Sequence, residues 1–272
     1  MWPFRLFDTL WAVLPVALVF VAIRPLSARE LRQFVGRYGV VVDDETGPTL
    51  KQGILRARVI RLILAAIGLS IHPLLSAVDV GVPHLGALLG LSGYLLGQLA
   101  ATTLSPPGPS TVRRASLIPR HASDYFSRHL LLTPAVALVV SAVALTVYAV
   151  EPRAARPSET GYPLSIVAVA VAAVVMYGAV WFVVRRPQCV TSPALVAVDD
   201  ALRAQSIHGI AATALAVSLV GTGSCLLEAF GAAQAPWLHV VGSIAAVATL
   251  VGGRGAWAYR TAPWHVTRTV SA

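Results

Sequence analysis

Residues 162–184 read YPLSIVAVAVAAVVMYGAVWFVV, a run of 23 residues without a charge, and Arg185 and Arg186 follow at once. About 20 apolar residues, rising 1.5 Å each as a helix, cross the roughly 30 Å of a bilayer's hydrocarbon. A stretch apolar on every side has no solvated face, so it suits lipid better than the surface of a soluble globule. Five further segments read the same way, at residues 62–78, 80–104, 130–150, 209–227 and 235–253. A seventh, residues 3–23, is weaker: Thr9 to Ile23 is free of charge, but reaching full length takes in Arg5 and Asp8.

Composition agrees with this reading. The 272-residue chain is 56% hydrophobic and 12% charged, about half the charged share of an average soluble protein. The expected fold is an all-α transmembrane helix bundle forming a single integral membrane domain over residues 1–272, with seven spans, or six if the first lies in the interface. Trp11, Tyr148, Tyr162 and Trp237 fall at one set of span ends, and Tyr125, Trp181, Trp257 and Tyr259 at the other, as interfacial aromatics do.

Orientation follows from the cations, 20 arginines and the single lysine Lys51. The segment between the first two spans carries Arg24, Arg29, Arg32, Arg37, Lys51, Arg56, Arg58 and Arg61. The next segments on that side carry Arg113, Arg114, Arg120 and Arg128, then Arg185, Arg186 and Arg203, then Arg254, Arg260 and Arg268. Only Arg5, Arg153 and Arg156 remain for the other face. The positive-inside rule therefore predicts an outside N-terminus, a cytoplasmic C-terminus and residence in the inner (plasma) membrane. The net charge of +9 then has an anionic inner leaflet as its partner, and no nucleic acid is implied. A cleaved signal peptide would put the first cationic segment outside, so residues 3–23 read as an uncleaved anchor.

Helix starts can be placed on the inner side. Ser27 and Glu30 have capping-box spacing, and Leu31, Phe34, Val35 and Tyr38 make an apolar stripe suited to a short helix lying on the inner leaflet. Pro48, Thr49 and Gln52 suggest a second box that starts the second span well below the membrane. Ser192 and Pro193 start a helix that runs through Asp199 and Arg203, a pair at i,i+4, into the sixth span. Asp43, Asp44 and Glu45 ahead of Gly47 and Pro48 read as a solvated turn, or more sharply as a cation site.

The strongest packing signal lies in the third span. Gly86, Gly90, Gly93 and Gly97 share one side of a helix and let a neighbouring backbone approach closely. Two occupants are open, another helix of the same bundle or a second copy of the chain in a homodimer. Tyr94 and Gln98 on the same helix need partners within the bundle.

Ionisable residues within a membrane are functional candidates because leaving them unpaired costs about 2.5 to 3.5 kcal/mol on insertion scales. On the outer side these are His72, Asp79, His84, Glu228 and His239. They could serve a divalent metal, a proton relay or a cationic solute, or simply sit at the wet interface. No cofactor is expected. A haem needs paired histidines at matching depth, which only His84 and His239 offer. Asp199 and Asp200 lack the further aspartate of a diphosphate-binding motif, because Arg203 stands there. Gly221-Thr-Gly223 lacks the third glycine of a dinucleotide loop. Seven spans with an outside N-terminus suit a retinal protein, but Lys51 lies in a loop and offers no Schiff base. Cys189 and Cys225 fall on opposite sides of the bilayer and cannot pair. The chain contains no asparagine, hence no N-glycosylation site.

After the first span the chain reads as three hairpins. The inner connections share a double arginine, a proline, an acid and an arginine: Arg113, Arg114, Pro119, Asp124 and Arg128 in one, Arg185, Arg186, Pro187 or Pro193, Asp199 and Arg203 in the next. Arg113 to Tyr125 and Arg185 to Gln188, with Asp199 to Arg203 downstream, resemble segments of uncharacterised bacterial polytopic integral membrane proteins. The resemblance covers about the middle third of the chain and implies a membrane location, with no substrate or catalytic residue attached.

No HExxH, Walker lysine or GxSxG is present, so no enzymatic activity is expected. The expected function is that of a transport-associated component, either a small permease or the membrane subunit of a larger transporter. Its inner loops, with Leu117, Ile118, Tyr125 and Phe126 among the arginines, would dock a cytoplasmic partner such as an ATPase subunit. A scaffold, sensor or assembly factor is the alternative, and a membrane enzyme using the outer histidines and carboxylates is the third.

Overall fold

The computed structural model describes residues 2–44, 46–76, 85–103, 128–150, 161–186 and 193–231. Within them lie seven α-helices and no strand: α1 (Trp2–Ile23), α2 (Ala28–Tyr38), α3 (Thr46–Ser76), α4 (Leu85–Thr103), α5 (Arg128–Val150), α6 (Gly161–Arg185) and α7 (Pro193–Gly231). They are not the seven expected spans. α2 is the short amphipathic helix, and the segment 235–253 lies outside the described residues. By length and composition, two stretches are long and apolar enough to cross a membrane, Leu164–Arg185 in α6 and Ala194–Leu226 in α7. Shorter apolar stretches run over Val13–Ile23 in α1 and Pro134–Val143 in α5.

Local chemistry sets the starts and stops. α2 opens on a complete capping box: the Glu30 N–H donates to Ser27 Oγ (3.2 Å) and the Ser27 N–H donates to Glu30 Oε2 (2.9 Å). It ends at Gly39, whose φ of +65° favours glycine and whose N–H reaches the Val35 carbonyl. α3 starts earlier than the Pro48 box predicted. The Thr46 N–H donates to Asp43 Oδ1 (2.8 Å) and the Asp43 N–H to Thr46 Oγ1 (3.0 Å). A carboxylate at the positive end of a helix is a stronger cap than a hydroxyl, and Pro48 fits the first turn, where its missing N–H is not needed. Asp43 of the acidic triplet is thus a helix cap. α7 begins at Pro193 and runs unbroken past Asp199 and Arg203, as expected.

α7 is the hub, packed against α3, α4, α5 and α6, while α1 lies chiefly on α3. The apolar stretch of α7 is 61% buried against 39% for α6. α3 and α4 form the tightest pair, and glycine is the reason. A Cβ at Gly93 would land on the Leu64 carbonyl oxygen, one at Gly97 would come 2.6 Å from the Arg61 Cα, and one at Gly90 would overlap Leu69. From the other side, Gly68 takes the Leu89 carbonyl. The occupant of the glycine face is therefore α3 of the same chain, and a second copy would need another face of α4. Gly221 serves the same purpose on α7, against Val169 and the Ser165 carbonyl of α6.

Three of the long helices are apolar on the outside. Val167, Val171 and Val174 of α6, Val136, Val139 and Val143 of α5, and Ile63, Ile67 and Ile71 of α3 are exposed. Buried within the bundle are large apolar side chains such as Leu95, Met176, Ile207 and Ile210 and, among them, small and hydroxyl side chains: Ser141, Ser165, Ala172, Ala173, Thr213, Ala214, Ser218 and Ser224. Among the hydroxyls, Thr213 donates to the Gly209 carbonyl, Ser224 to the Val220 carbonyl, and Ser141 lies against Thr222 across α5 and α7 (2.9 Å).

Below this bundle sits an inner layer. α3 and α7 each begin 16 residues before the expected span starts at Leu62 and Gly209, a projection of about 24 Å. They meet where Gly53 admits Leu202. α2 packs on them, and its stripe is not spread on lipid as expected. Phe34 and Tyr38 are buried in one core with Leu50, Ile54, Val198 and Ala201, with Leu31 and Val35 packed against it. The two projecting helices supply the apolar surface that covers the stripe.

Candidate functional site

Where α2, α3, α4 and α7 meet, four side chains of different chemistry converge. Tyr38, last residue of α2, places its hydroxyl 3.4 Å from His208 Nδ1 of α7, with the rings stacked at 6.1 Å between centroids. Phe34, one turn back on α2, supports Tyr38 at 4.7 Å. Gly209, next to His208, lies directly against the side-chain amide of Gln98 in α4, where any Cβ would collide. Arg61 of α3 donates to Gln98 Oε1 (3.4 Å) and to its own helix at the Ala57 carbonyl (2.7 Å). Gln98 is 1% exposed, so its amide depends on these neighbours.

The electrostatics are one-sided. Burial pushes the Tyr38 phenol above its ordinary range, and the nearby Arg37 and Arg61 guanidinium groups partly oppose that. Tyr38 therefore stays a neutral hydroxyl. A guanidinium, an imidazole, a carboxamide and a phenol meet here, and none of these four described side chains is a carboxylate. The set suits an anionic or carbonyl group, and not a cation.

One to two turns nearer the start of α7, a second network ties helix ends together. Arg203, 5% exposed, donates from Nε to Asp199 Oδ2 (2.8 Å) and from Nη1 to the carbonyls of Arg186 (2.5 Å) and Val183 (3.4 Å). Arg186 donates in turn to the Thr102 carbonyl at the end of α4 (2.9 Å). The last carbonyls of α4 and α6 have no partners of their own in the helix and sit at its negative end, and arginine answers both needs. The expected Asp199–Arg203 pair is present, with α6 as a third member. Of the residues expected to dock a partner, Arg186 and Arg203 are thus engaged with other elements of the bundle, Asp199 holds Arg203 from within α7, and Arg185 lies over the exposed Trp181 ring at 4.5 Å.

The remaining expected residues are placed as follows. Arg128 opens α5 and Glu228 lies near the end of α7, their side chains outside the described residues; Arg113, Arg114, Asp124, Asp79, His84 and His239 are outside them altogether. His72 is described, half-buried near the end of α3. Among the described residues no group of three histidines, cysteines or acids could hold a metal ion. Gly86 is buried on α4, on the side of Gly90, Gly93 and Gly97.

Sequence reading did not find the Tyr38–His208–Gln98–Arg61 junction. It singled out Tyr38 and Gln98 separately, one as the end of a stripe and one as a polar group needing a partner. The available signal was Gly209 beside His208, since a glycine next to a polar residue in an apolar helix marks a close approach. No protein-family model, no curated protein and no solved structure matches the chain.

Proposed function

We propose that the chain is a multi-pass protein of the inner membrane, with its N-terminus outside and its C-terminus in the cytoplasm, and that it serves as a transport-associated component and not as an enzyme. The observation that carries the membrane part is the outer surface of α3, α5 and α6, where large valine and isoleucine side chains are exposed while hydroxyl side chains such as Ser141, Ser165 and Ser218 are buried. Water would penalise that surface, whereas lipid solvates it and leaves packing to small residues. On this reading the arginines of α2, the start of α3 and the end of α6 lie on the cytoplasmic side. The transport part is supported by the Arg61–Gln98–His208 junction, where Gln98 and His208 are buried and Arg61 is part-buried beside them, a polar set suited to a solute, a proton or a partner. Its lack of a carboxylate favours an anionic solute. The expected partners are a cytoplasmic ATPase subunit or a second membrane protein.

Mild solubilisation from the native membrane, followed by mass spectrometry of what co-purifies in stoichiometric amount, tests this. A nucleotide-hydrolysing or solute-binding subunit is the expected result. A lone protein whose reconstituted vesicles accumulate no anion would overturn the transport reading and leave a scaffold or sensor.

A further inference from the structure

The corner between α1 and α2 joins two surfaces of opposite character. On α1, Val13, Val16, Phe20 and Ile23 are exposed along one side of the helix, and the stripe ends at Arg24. Four residues on, α2 begins and presents Arg29 and Arg32, both exposed and one turn apart. The corner is held rigidly. Arg58 of α3 donates to the Arg24 carbonyl (3.3 Å) and lies 3.5 Å from Glu30 Oε2, fixing the first turn of α2 against the last of α1. Glu30, the one acid within α2, is occupied by the Ser27 cap and Arg58. The apolar face of α2 is also used up, buried on the protein. What remains outward at this corner is therefore an apolar rail ending in three cations.

We propose that this corner binds one anionic phospholipid, its acyl chain along the Val16–Phe20–Ile23 side of α1 and its phosphate on Arg24, Arg29 and Arg32. The depth is right for a headgroup. Arg58 is four residues before Leu62 and His208 one before Gly209, so both ends of α2 contact the bundle within about 6 Å of the expected hydrocarbon edge, inside the headgroup layer. Charge and shape together distinguish this from the general attraction of a basic protein to an acidic surface. Guanidinium groups pair with phosphate oxygens in forked geometry, and a pre-held helix orders no chain on binding. The site rests on the membrane reading above, though not on the transport reading.

The test uses the full chain reconstituted in vesicles of equal phosphatidylcholine and phosphatidylglycerol, then released for native mass spectrometry to count retained lipids. Wild type should retain phosphatidylglycerol over phosphatidylcholine, and the triple variant Arg24→Gln, Arg29→Gln, Arg32→Gln should lower that preference by about fivefold or more. Lys51→Gln removes one of the same charges about 16 Å below Leu62 and should leave the preference unchanged. Glycerol phosphate in solution should not compete, because it lacks the chain that the α1 stripe holds. An equal drop in Lys51→Gln, full competition by glycerol phosphate, or no preference in wild type would each overturn the proposal. Extraction of the wild-type protein from its vesicles by alkaline carbonate would instead refute the membrane reading itself. The unfolding temperature of the triple variant in detergent, expected unchanged, separates lost lipid from lost fold.

Discussion

In α2, Phe34 and Tyr38 are 7% and 5% exposed while Arg29 and Arg32 lie outside; in α6, Val171 and Val174 are 47% and 72% exposed while Ser165 and Ala172 are buried. On the membrane reading proposed above, the two helices answer to different solvents. α2 and the projecting ends of α3 and α7 follow the rule of water, apolar within and charged without. The bundle above exposes large apolar side chains as well as burying them, and small residues line its closest contacts, as expected where lipid is the solvent. One continuous core crosses from one regime to the other, through Leu50, Val198 and Ile207 to Leu95 and Val217. The polar junction of Tyr38, Arg61, Gln98 and His208 lies where the regimes meet. On the proposed orientation, a polar group there is within reach of both the cytoplasm and the bundle interior.

The contrast can be broken most severely at the glycine contacts. Gly93→Ala sets a methyl on the Leu64 carbonyl oxygen, which is backbone and cannot swing away. We expect loss of the folded bundle, more than about 4 kcal/mol, seen as aggregation on detergent size exclusion. Gly178→Ala has open space around it and should hold or gain up to about 1 kcal/mol. Next comes the inner layer. Phe34→Ala removes a buried ring and should cost about 3 kcal/mol or more, with α2 becoming sensitive to added protease while the bundle persists. If the bundle unfolds with it, the two regions are a single cooperative unit.

A smaller effect tests the solvent of α6 directly. Val174→Asp should reduce the carbonate-resistant fraction, the cost of a central aspartate being about 2.5–3.5 kcal/mol. On a water-facing helix the same change would stay within about 0.5 kcal/mol. The smallest expected effect is at Glu30. Hydrogen bonds from the Ser27 backbone and hydroxyl, with Arg58 and Arg24 nearby, hold its carboxyl below the ordinary glutamate range. A lowered folded-state pKa means its contribution is complete above the unfolded value and fades as the pH falls through the folded one. Protease sensitivity of α2 should therefore rise only in acid below the usual carboxylate range, and Glu30→Gln should flatten that dependence. A dependence unchanged in Glu30→Gln would assign it to another group.

Much was legible in the residues because it is local. Charge-free runs placed α5 and α6 to within two residues at each end, since a helix end next to a cluster of arginines or prolines has few alternatives. The Ser27–Glu30 box and the Asp199–Arg203 pair were legible because their partners are three and four residues apart. The cap at Asp43 was missed because a carboxylate and a threonine three residues on compete with a nearby proline, and relative strength decides between them. The glycine stripe announced a close contact, but its occupant was decided by tertiary structure, because Gly93 and Leu64 are brought together only by the pairing of α3 with α4. The burial of α2 on protein was likewise a tertiary outcome, since an apolar stripe carries no information on whether lipid or a neighbouring helix covers it. The same holds for the junction. Periodicity fixes which side of its own helix a residue occupies, whereas the convergence of Tyr38, Arg61, Gln98 and His208 depends on the order and rotation of four helices, which is set by the summed packing of all their contacts.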